Sequence, residues 1–143
     1  MLYQHRFSDD RPCELPNGKI VCVGRNYAEH ARELNNPIPK QPLLFIKPST
    51  ALAALDQPLA IPRDRGECHH ELELALLIGQ PLSEARAEET LAAIAGYGLA
   101  LDLTLRELQS QLKEKGQPWE RAKAFDGACP VSAFVPAAAV GDW

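Results

Sequence analysis

Apolar and polar residues follow one another along this chain in patterns that predict β-strands separated by helices. Residues 71–78 begin with alternating acidic and apolar side chains and continue as an apolar run, and residues 97–104 are mostly apolar with a single acid. Both patterns are typical of strands that pack on a core. Shorter apolar runs bounded by glycine or proline predict further strands at residues 19–23, 43–47, 58–62 and 131–135.

Helices are predicted where capping residues precede segments of good helix formers. Asn26 is a candidate N-cap for a helix over residues 27–34, and Ser83 for a helix over residues 84–95. Thr104 and Glu107 have the spacing of a capping box for a third helix, which runs to residue 115 and stops at Gly116. Strands and helices mix without a strict βαβ repeat, so the expected fold is α+β with a largely antiparallel or mixed sheet.

The composition suits one globular domain over residues 1–143, because 45% of the residues are hydrophobic. The net charge is −4 and no run of basic residues occurs. The expected partner is therefore a small molecule rather than nucleic acid or an anionic membrane. The four cysteines are scattered and the N-terminus lacks the apolar stretch of a signal peptide. These features favour reduced thiols and a cytoplasmic location.

Three acids stand where strands normally place apolar residues. Glu71 and Glu73 are two residues apart, so they share one face of their predicted strand, and Asp102 lies within the next. A buried carboxylate is costly unless it is paired or binds metal. All-oxygen ligation favours Mg²⁺ or Mn²⁺ over zinc. The alternative is that the two glutamates line the solvated face of an amphipathic strand.

Two pairs with i, i+3 spacing are further candidates. His30 and Glu33 share a face of the first predicted helix, as an oriented general base and its partner would. The simpler alternative is an ordinary core or surface histidine whose ring nitrogens are hydrogen-bonded and which has no catalytic role. Arg106 and Gln109, at the start of the third helix, could hold a carboxylate, although an ordinary solvated face would also explain them.

The remaining candidates carry weaker signals. Lys47 and Lys123 would be surface residues if considered alone. Cys68, His69 and His70 are adjacent, and neighbouring side chains of a strand point to opposite faces, so a zinc site is not expected there.

Several strings of this chain resemble the fumarylacetoacetate hydrolase family in its short, acylpyruvase-like branch, which would make the fold a mixed β-sheet roll or sandwich with peripheral helices. They occur in the family's order and cover nearly the whole chain. The strings are Gly24-Arg25-Asn26-Tyr27 with His30 and Glu33, Leu44-Phe45-Ile46-Lys47-Pro48, His69-His70-Glu71-Leu72-Glu73-Leu74 with Ile78-Gly79, Asp102-Leu103-Thr104 with Arg106 and Gln109, and Gly116-Gln117-Pro118-Trp119 with Ala122-Lys123 and Phe125-Asp126.

The resemblance implies roles for the candidate residues. Glu71, Glu73 and Asp102 would ligate Mg²⁺ or Mn²⁺, and His30 with Glu33 would activate water. The substrate's carboxylate and carbonyl oxygens would contact Arg106, Gln109 and the catalytic Lys123, with Lys47 at the edge of the substrate site or in a structural role.

The function so implied is metal-dependent hydrolysis of the carbon-carbon bond in acylpyruvate-type 1,3-dicarbonyl acids, as in aromatic catabolism, by a homodimer. The alternative enzyme is an oxaloacetate tautomerase or decarboxylase acting on the same class of small 2-oxoacid. Members of the family normally continue with further strands and a Thr-Gly-Thr-Pro loop that this sequence lacks, so an incomplete catalytic domain is expected. A non-catalytic cation-binding or dimerisation fragment is the remaining possibility.

Overall fold

Two sheets and three short helices make up the fold of the computed structural model, which describes residues 3–24 and 41–141. Strands β1 (Ile20–Gly24) and β2 (Leu43–Lys47) form an antiparallel pair. The second sheet has five strands, which are β3 (Leu52–Ala54), β4 (Cys68–Ile78), β5 (Ile94–Leu105), β6 (Cys129–Val131) and β7 (Val135–Pro136). Their order is β3-β6-β5-β4, with β7 pairing to β5.

The larger sheet is mixed, as the sequence predicts. Strands β3 and β6 are parallel, whereas β5 runs antiparallel to β4, β6 and β7. The helices are α1 (Ala87–Ala92), α2 (Arg106–Glu114) and α3 (Glu120–Lys123), with 3-10 turns at Ser49–Ala51 and Ala137–Ala139. The prediction of an α+β fold is therefore confirmed, while the predicted helix over residues 27–34 lies outside the described residues.

Two of the strand predictions are wrong in detail. Residues 58–62 form no strand, because the prolines at both ends of this segment lack the N–H that a sheet ladder needs. The segment 131–135 is divided between β6 and β7, since residues 132–134 leave the ladder. There the Ser132 hydroxyl accepts a hydrogen bond of 3.0 Å from the Leu99 N–H.

Helix ends also differ from the predictions. Helix α1 begins after Arg86 rather than Ser83 and gives way to β5 at Ile94, and the Glu89 carboxylate accepts the Arg86 N–H at 2.8 Å. Thr104 does not cap α2, because it is a buried residue of β5 and Leu105 holds the N-cap position. The stop at Gly116 is confirmed, with a positive φ of 61° that favours glycine.

Strand β5 is an inner strand of the larger sheet and contributes to both apolar cores. Its residues Ala100 and Leu103 pack with Val131 and Phe134 in the main core. A second, smaller core joins the end of β5 to the helices through Leu105, Leu112 and Ala122. Among residues 3–24 and 41–141, none of the helices has the length and the apolar composition of a membrane span.

The outer face of β4 is apolar and open. Leu72, Leu74 and Leu76 are 60%, 56% and 49% exposed, whereas Glu71 and Glu73 lie half-buried on the opposite face. The usual arrangement of an amphipathic strand is thus reversed. The two glutamates do not line the most exposed face of β4, which contradicts the alternative that they form the solvated face of an amphipathic strand.

Candidate active site

The pairing of β4 with β5 brings the three predicted metal ligands to one face of the sheet. Glu71 lies directly opposite Asp102, and Glu73 lies opposite Ala100. Opposite residues of an antiparallel pair, and residues two apart on one strand, project to the same side. Asp102 is 7% exposed, so this carboxylate stands at the inner edge of the group.

Two lysine side chains neutralise Asp102. Lys123 Nζ donates to Asp102 Oδ2 at 2.5 Å, and Lys47 Nζ lies 3.0 Å from Asp102 Oδ1. Both lysines are buried, Lys47 completely. The two ammonium groups supply the pairing that a buried carboxylate requires, and they hold the Asp102 carboxylate in place.

Main-chain carbonyl oxygens accept all three N–H groups of the Lys47 ammonium. Its three N–H groups donate to the carbonyls of Leu103 (3.1 Å), Ala128 (2.9 Å) and Lys123. The geometry therefore favours the structural role for Lys47 over a direct contact with substrate. Because the Lys47 N–H groups are taken by these carbonyls, Asp102 Oδ1 is buried without a hydrogen-bond donor, although the Lys47 ammonium lies close to it.

Arg106 connects the start of α2 to β4. Its Nη2 donates to Glu71 Oε1 at 2.5 Å and its Nη1 donates to Gln109 Oε1 at 2.8 Å, so the predicted pair of Arg106 and Gln109 does meet. The third guanidinium nitrogen, Nε, donates to His69 Nδ1 at 3.4 Å. The sequence pattern argues only against a zinc-binding role for His69, and the position of His69 two residues before Glu71 is the signal that places it on this face.

Two aromatic residues, to which the sequence pattern assigns no role, border Lys123. The Lys123 Nζ lies 4.9 Å from the centre of the Phe45 ring, and the Phe45 and Trp119 rings are 6.0 Å apart. A cavity of about 230 Å³ is lined by these three residues and by neighbours from β2. Phe45 and Lys47 are two residues apart in β2, so the strand period alone predicts that their side chains share one face.

The predicted metal ligands are of a suitable kind but are not yet converged. In residues 3–24 and 41–141, no three His, Cys, Asp or Glu side chains form a group that could hold an ion as they stand. Glu71 and Asp102 pair instead with cationic side chains. Nevertheless, the buried Asp102 Oδ1 lacks a donor and the acids share a face, so these residues fit a hard divalent cation after rotation of the glutamate side chains.

Thiolate ligation is disfavoured near this site. Burial, with the Asp102 charge as a second cause, raises the pKa of Cys22 to about 12, and burial raises the pKa of Cys129 to about 11. Both thiols stay protonated at neutral pH, and metals bind the thiolate. All four cysteines are free thiols.

His30 and Glu33, the predicted base and its partner, are outside the described residues, so their roles remain predictions. A larger cavity, of about 910 Å³, lies between the N-terminal segment and the loops near Asp56 and Ser132, and it contains none of the predicted site residues.

Comparison with known proteins gives the family. The fumarylacetoacetate (FAA) hydrolase C-terminal family profile matches residues 19–143. The chain is 56% identical over 137 residues to the oxaloacetate tautomerase YcgM of Escherichia coli, covering 96% of this chain and 63% of that protein. It is 47% identical over 123 residues to the mitochondrial oxaloacetate tautomerase FAHD1 of Bos taurus, covering 86% of this chain and 56% of the relative.

Solved structures of similar proteins point to the same family. A fumarylacetoacetate hydrolase family protein from Yersinia pestis superposes with a TM-score of 0.93 at 56% identity, over 98% of this chain and 64% of the other. Fumarylpyruvate hydrolase from Pseudomonas aeruginosa, solved with Mn²⁺ and pyruvate, superposes with a TM-score of 0.86 at 36% identity, over 96% and 60% of the two chains. This chain thus spans less than two thirds of these relatives, and it belongs to the fumarylacetoacetate hydrolase family.

Proposed function

We propose that this protein catalyses the keto-enol tautomerisation of oxaloacetate, with a divalent cation as cofactor. The observation that carries the proposal is the 56% identity with an oxaloacetate tautomerase across 96% of this chain. The activity expected first from the sequence, hydrolysis of acylpyruvates, has the weaker support, because fumarylpyruvate hydrolase is a relative at 36% identity.

The arrangement of side chains suits a small dicarboxylate with a ketone. Gln109 accepts a hydrogen bond from Arg106, as Glu71 does when no cation is bound, and the guanidinium can take a substrate carboxylate through two parallel hydrogen bonds. The Lys123 ammonium lies beside Asp102 and can donate to the substrate's ketone oxygen as negative charge develops on it. Phe45 and Trp119 supply a partly apolar wall that limits water near this ammonium.

Tautomerisation moves one proton and breaks no carbon-carbon bond. A base removes a proton from C3, the C2–C3 bond becomes double, and the C2 oxygen receives a proton, so the enol has the same atoms as the ketone. The family resemblance implies that His30 with Glu33 activates water, and we assign the same pair here to removal of the C3 proton, with Glu33 orienting the ring. A bound Mg²⁺ or Mn²⁺, held by Glu71, Glu73 and Asp102, would supply a Lewis acid that stabilises charge on the ketone oxygen.

The rival reactions consume or release something that tautomerisation does not. Hydrolysis of an acylpyruvate consumes water and yields pyruvate and an acid, and decarboxylation of oxaloacetate releases carbon dioxide. The test is therefore to supply purified protein and Mn²⁺ with enol oxaloacetate, keto oxaloacetate and an acylpyruvate. Enol absorbance, carbon dioxide release and pyruvate formation are followed separately.

We expect the decay of enol absorbance to accelerate in proportion to protein, with little carbon dioxide or pyruvate formed. Faster cleavage of the acylpyruvate would overturn the assignment in favour of the hydrolase. No acceleration of any of the three reactions, at an intact fold, would favour the non-catalytic fragment. The single catalytic domain over residues 1–143, the homodimer and the cytoplasmic location also remain proposals.

A further inference from the structure

His69 lies at the outer edge of the candidate site and contacts the residue that we assign to the substrate carboxylate. Its Nδ1 accepts the Nε–H of Arg106 at 3.4 Å, and its Nε2 is 3.3 Å from Glu67 Oε2. Since Nδ1 is an acceptor, the proton of the neutral ring is on Nε2, which donates to Glu67. Glu67 thereby orients the ring, and the ring orients Arg106.

The same short segment of chain also holds the main chain of Arg106. The Arg106 backbone N–H donates to the Glu67 carbonyl at 3.1 Å, where β4 begins and α2 starts. Both the main chain and the side chain of Arg106 are thus tied to residues 67–71. This connection sets the position of the guanidinium relative to the acids of β4.

The contacts of Arg106 leave a defined part of its guanidinium available. A guanidinium has five N–H donors, and Arg106 uses one on each of its three nitrogens, for His69, Gln109 and Glu71. Two N–H groups remain, one on each terminal nitrogen, and the Nη2 N–H that Glu71 accepts becomes available as well when Glu71 turns to a cation. A carboxylate accepts such a pair in a bidentate arrangement.

We propose that His69 is a positioning residue, which holds Arg106 through its Nε–H so that the two remaining N–H groups bind a substrate carboxylate. The proposal rests on the proposed function, in which Arg106 binds oxaloacetate. His69 is 44% exposed at its side chain and need not touch the substrate. Its effect should therefore fall on substrate binding more than on the chemical step.

The test compares steady-state tautomerisation of oxaloacetate in three variants with the wild type, at saturating Mn²⁺. His69→Leu removes the acceptor, while His69→Asn keeps an acceptor oxygen near the place of Nδ1. His70→Leu is the matched control, because His70 is the exposed neighbour on the other face of β4. Thermal unfolding and the binding of malonate, a dicarboxylate without a ketone, are measured for each protein by scanning and titration calorimetry.

We expect His69→Leu to raise KM and the malonate dissociation constant about tenfold, as the loss of one hydrogen bond to a charged group would, with kcat within about threefold. His69→Asn should recover most of this loss, and His70→Leu should resemble the wild type. Equal falls in kcat for both His69 variants, with a lowered melting temperature, would show a role in folding and overturn the proposal.

Arg106→Lys distinguishes the failure of this inference from that of the proposed function. If Arg106→Lys raises KM for oxaloacetate and His69→Leu does not, the positioning role is wrong while the tautomerase stands. If the wild type tautomerises oxaloacetate but Arg106→Lys leaves KM unchanged, Arg106 does not bind the carboxylate, and the role of His69 falls with it. A wild type without tautomerase activity contradicts the proposed function itself.

Discussion

The buried lysine of β2 organises the candidate site by joining three segments of chain. Lys47 Nζ contacts main-chain carbonyls of β5, of the end of α3 and of the residue before β6, and it lies beside the Asp102 carboxylate. Lysine is almost never fully buried unless it is paired. The 0% exposure of Lys47 therefore follows from this set of partners.

Replacing Lys47 should destabilise the fold. Lys47→Met keeps the apolar stem but leaves three carbonyls and part of the Asp102 charge unsatisfied, so we expect the free energy of unfolding to fall by about 3 to 5 kcal/mol. Lys19→Met, at an exposed lysine, is the control and should change it by less than about 0.5 kcal/mol. Urea denaturation measures both, and an unchanged midpoint for Lys47→Met would refute the buried network.

His5 gives the fold a dependence on pH. It is 8% exposed beside Tyr3 and Phe134, and burial lowers its pKa below the ordinary 6.5. The folded state therefore resists protonation, so the stability due to the neutral ring is present above pH 6.5 and is lost as the pH falls towards the lowered pKa.

The unfolding free energy of wild type should accordingly fall between about pH 7 and pH 5, in the range where histidine titrates. His5→Gln should show a smaller fall over the same interval, whereas His70→Gln, at an exposed histidine, should keep the wild-type dependence. Parallel pH dependence in wild type and His5→Gln would contradict the assignment.

The antiparallel pair of β4 and β5 could be predicted because its pattern of acidic and apolar residues is local. The i, i+2 spacing of Glu71 and Glu73 gave their shared face, and the apolar run around Asp102 gave the second strand. Which face would be inward could not be predicted, because the leucines of β4 are the exposed set. Periodicity finds the two faces of a strand, whereas tertiary packing decides between them.

The same limit explains the errors around α2. Thr104 and Glu107 match a capping box in spacing, but β5 continues through Thr104 and buries it completely. The contacts of Arg106 with Glu71 and His69 join residues more than thirty positions apart, so no local pattern reveals them. The i, i+3 contact between Arg106 and Gln109, in contrast, follows from helix geometry alone.

The end of α2 depends on glycine. Gly116 has a φ of 61°, where a side chain is strained, so Gly116→Ala should lower the free energy of unfolding by about 1 to 2 kcal/mol. Gly18→Ala is the matched control, because its added methyl group also meets no atom within 4 Å and its φ is not in the left-handed region. Equal effects of the two substitutions on thermal unfolding would show that the conformation at Gly116 does not matter.

The three acids that β4 and β5 bring to one face of the sheet predict one cation site. Glu73→Gln removes a ligand charge at nearly constant volume, so Mn²⁺ should bind about tenfold more weakly or worse by titration calorimetry, with the circular dichroism spectrum unchanged. Glu88→Gln, at an exposed acid of α1, should bind Mn²⁺ as the wild type does. The same affinity in both variants would count against ligation by Glu73.

The proposed tautomerisation moves a proton between C3 and the C2 oxygen of oxaloacetate. Nuclear magnetic resonance in deuterated water detects this transfer as exchange of the C3 hydrogens, which is followed with and without the protein at a fixed concentration of diamagnetic Mg²⁺. We expect protein-dependent exchange that outpaces the appearance of pyruvate and is lost on chelation of the metal. Exchange no faster than in the protein-free solution, with the protein folded and Mg²⁺ bound, would refute the tautomerase assignment.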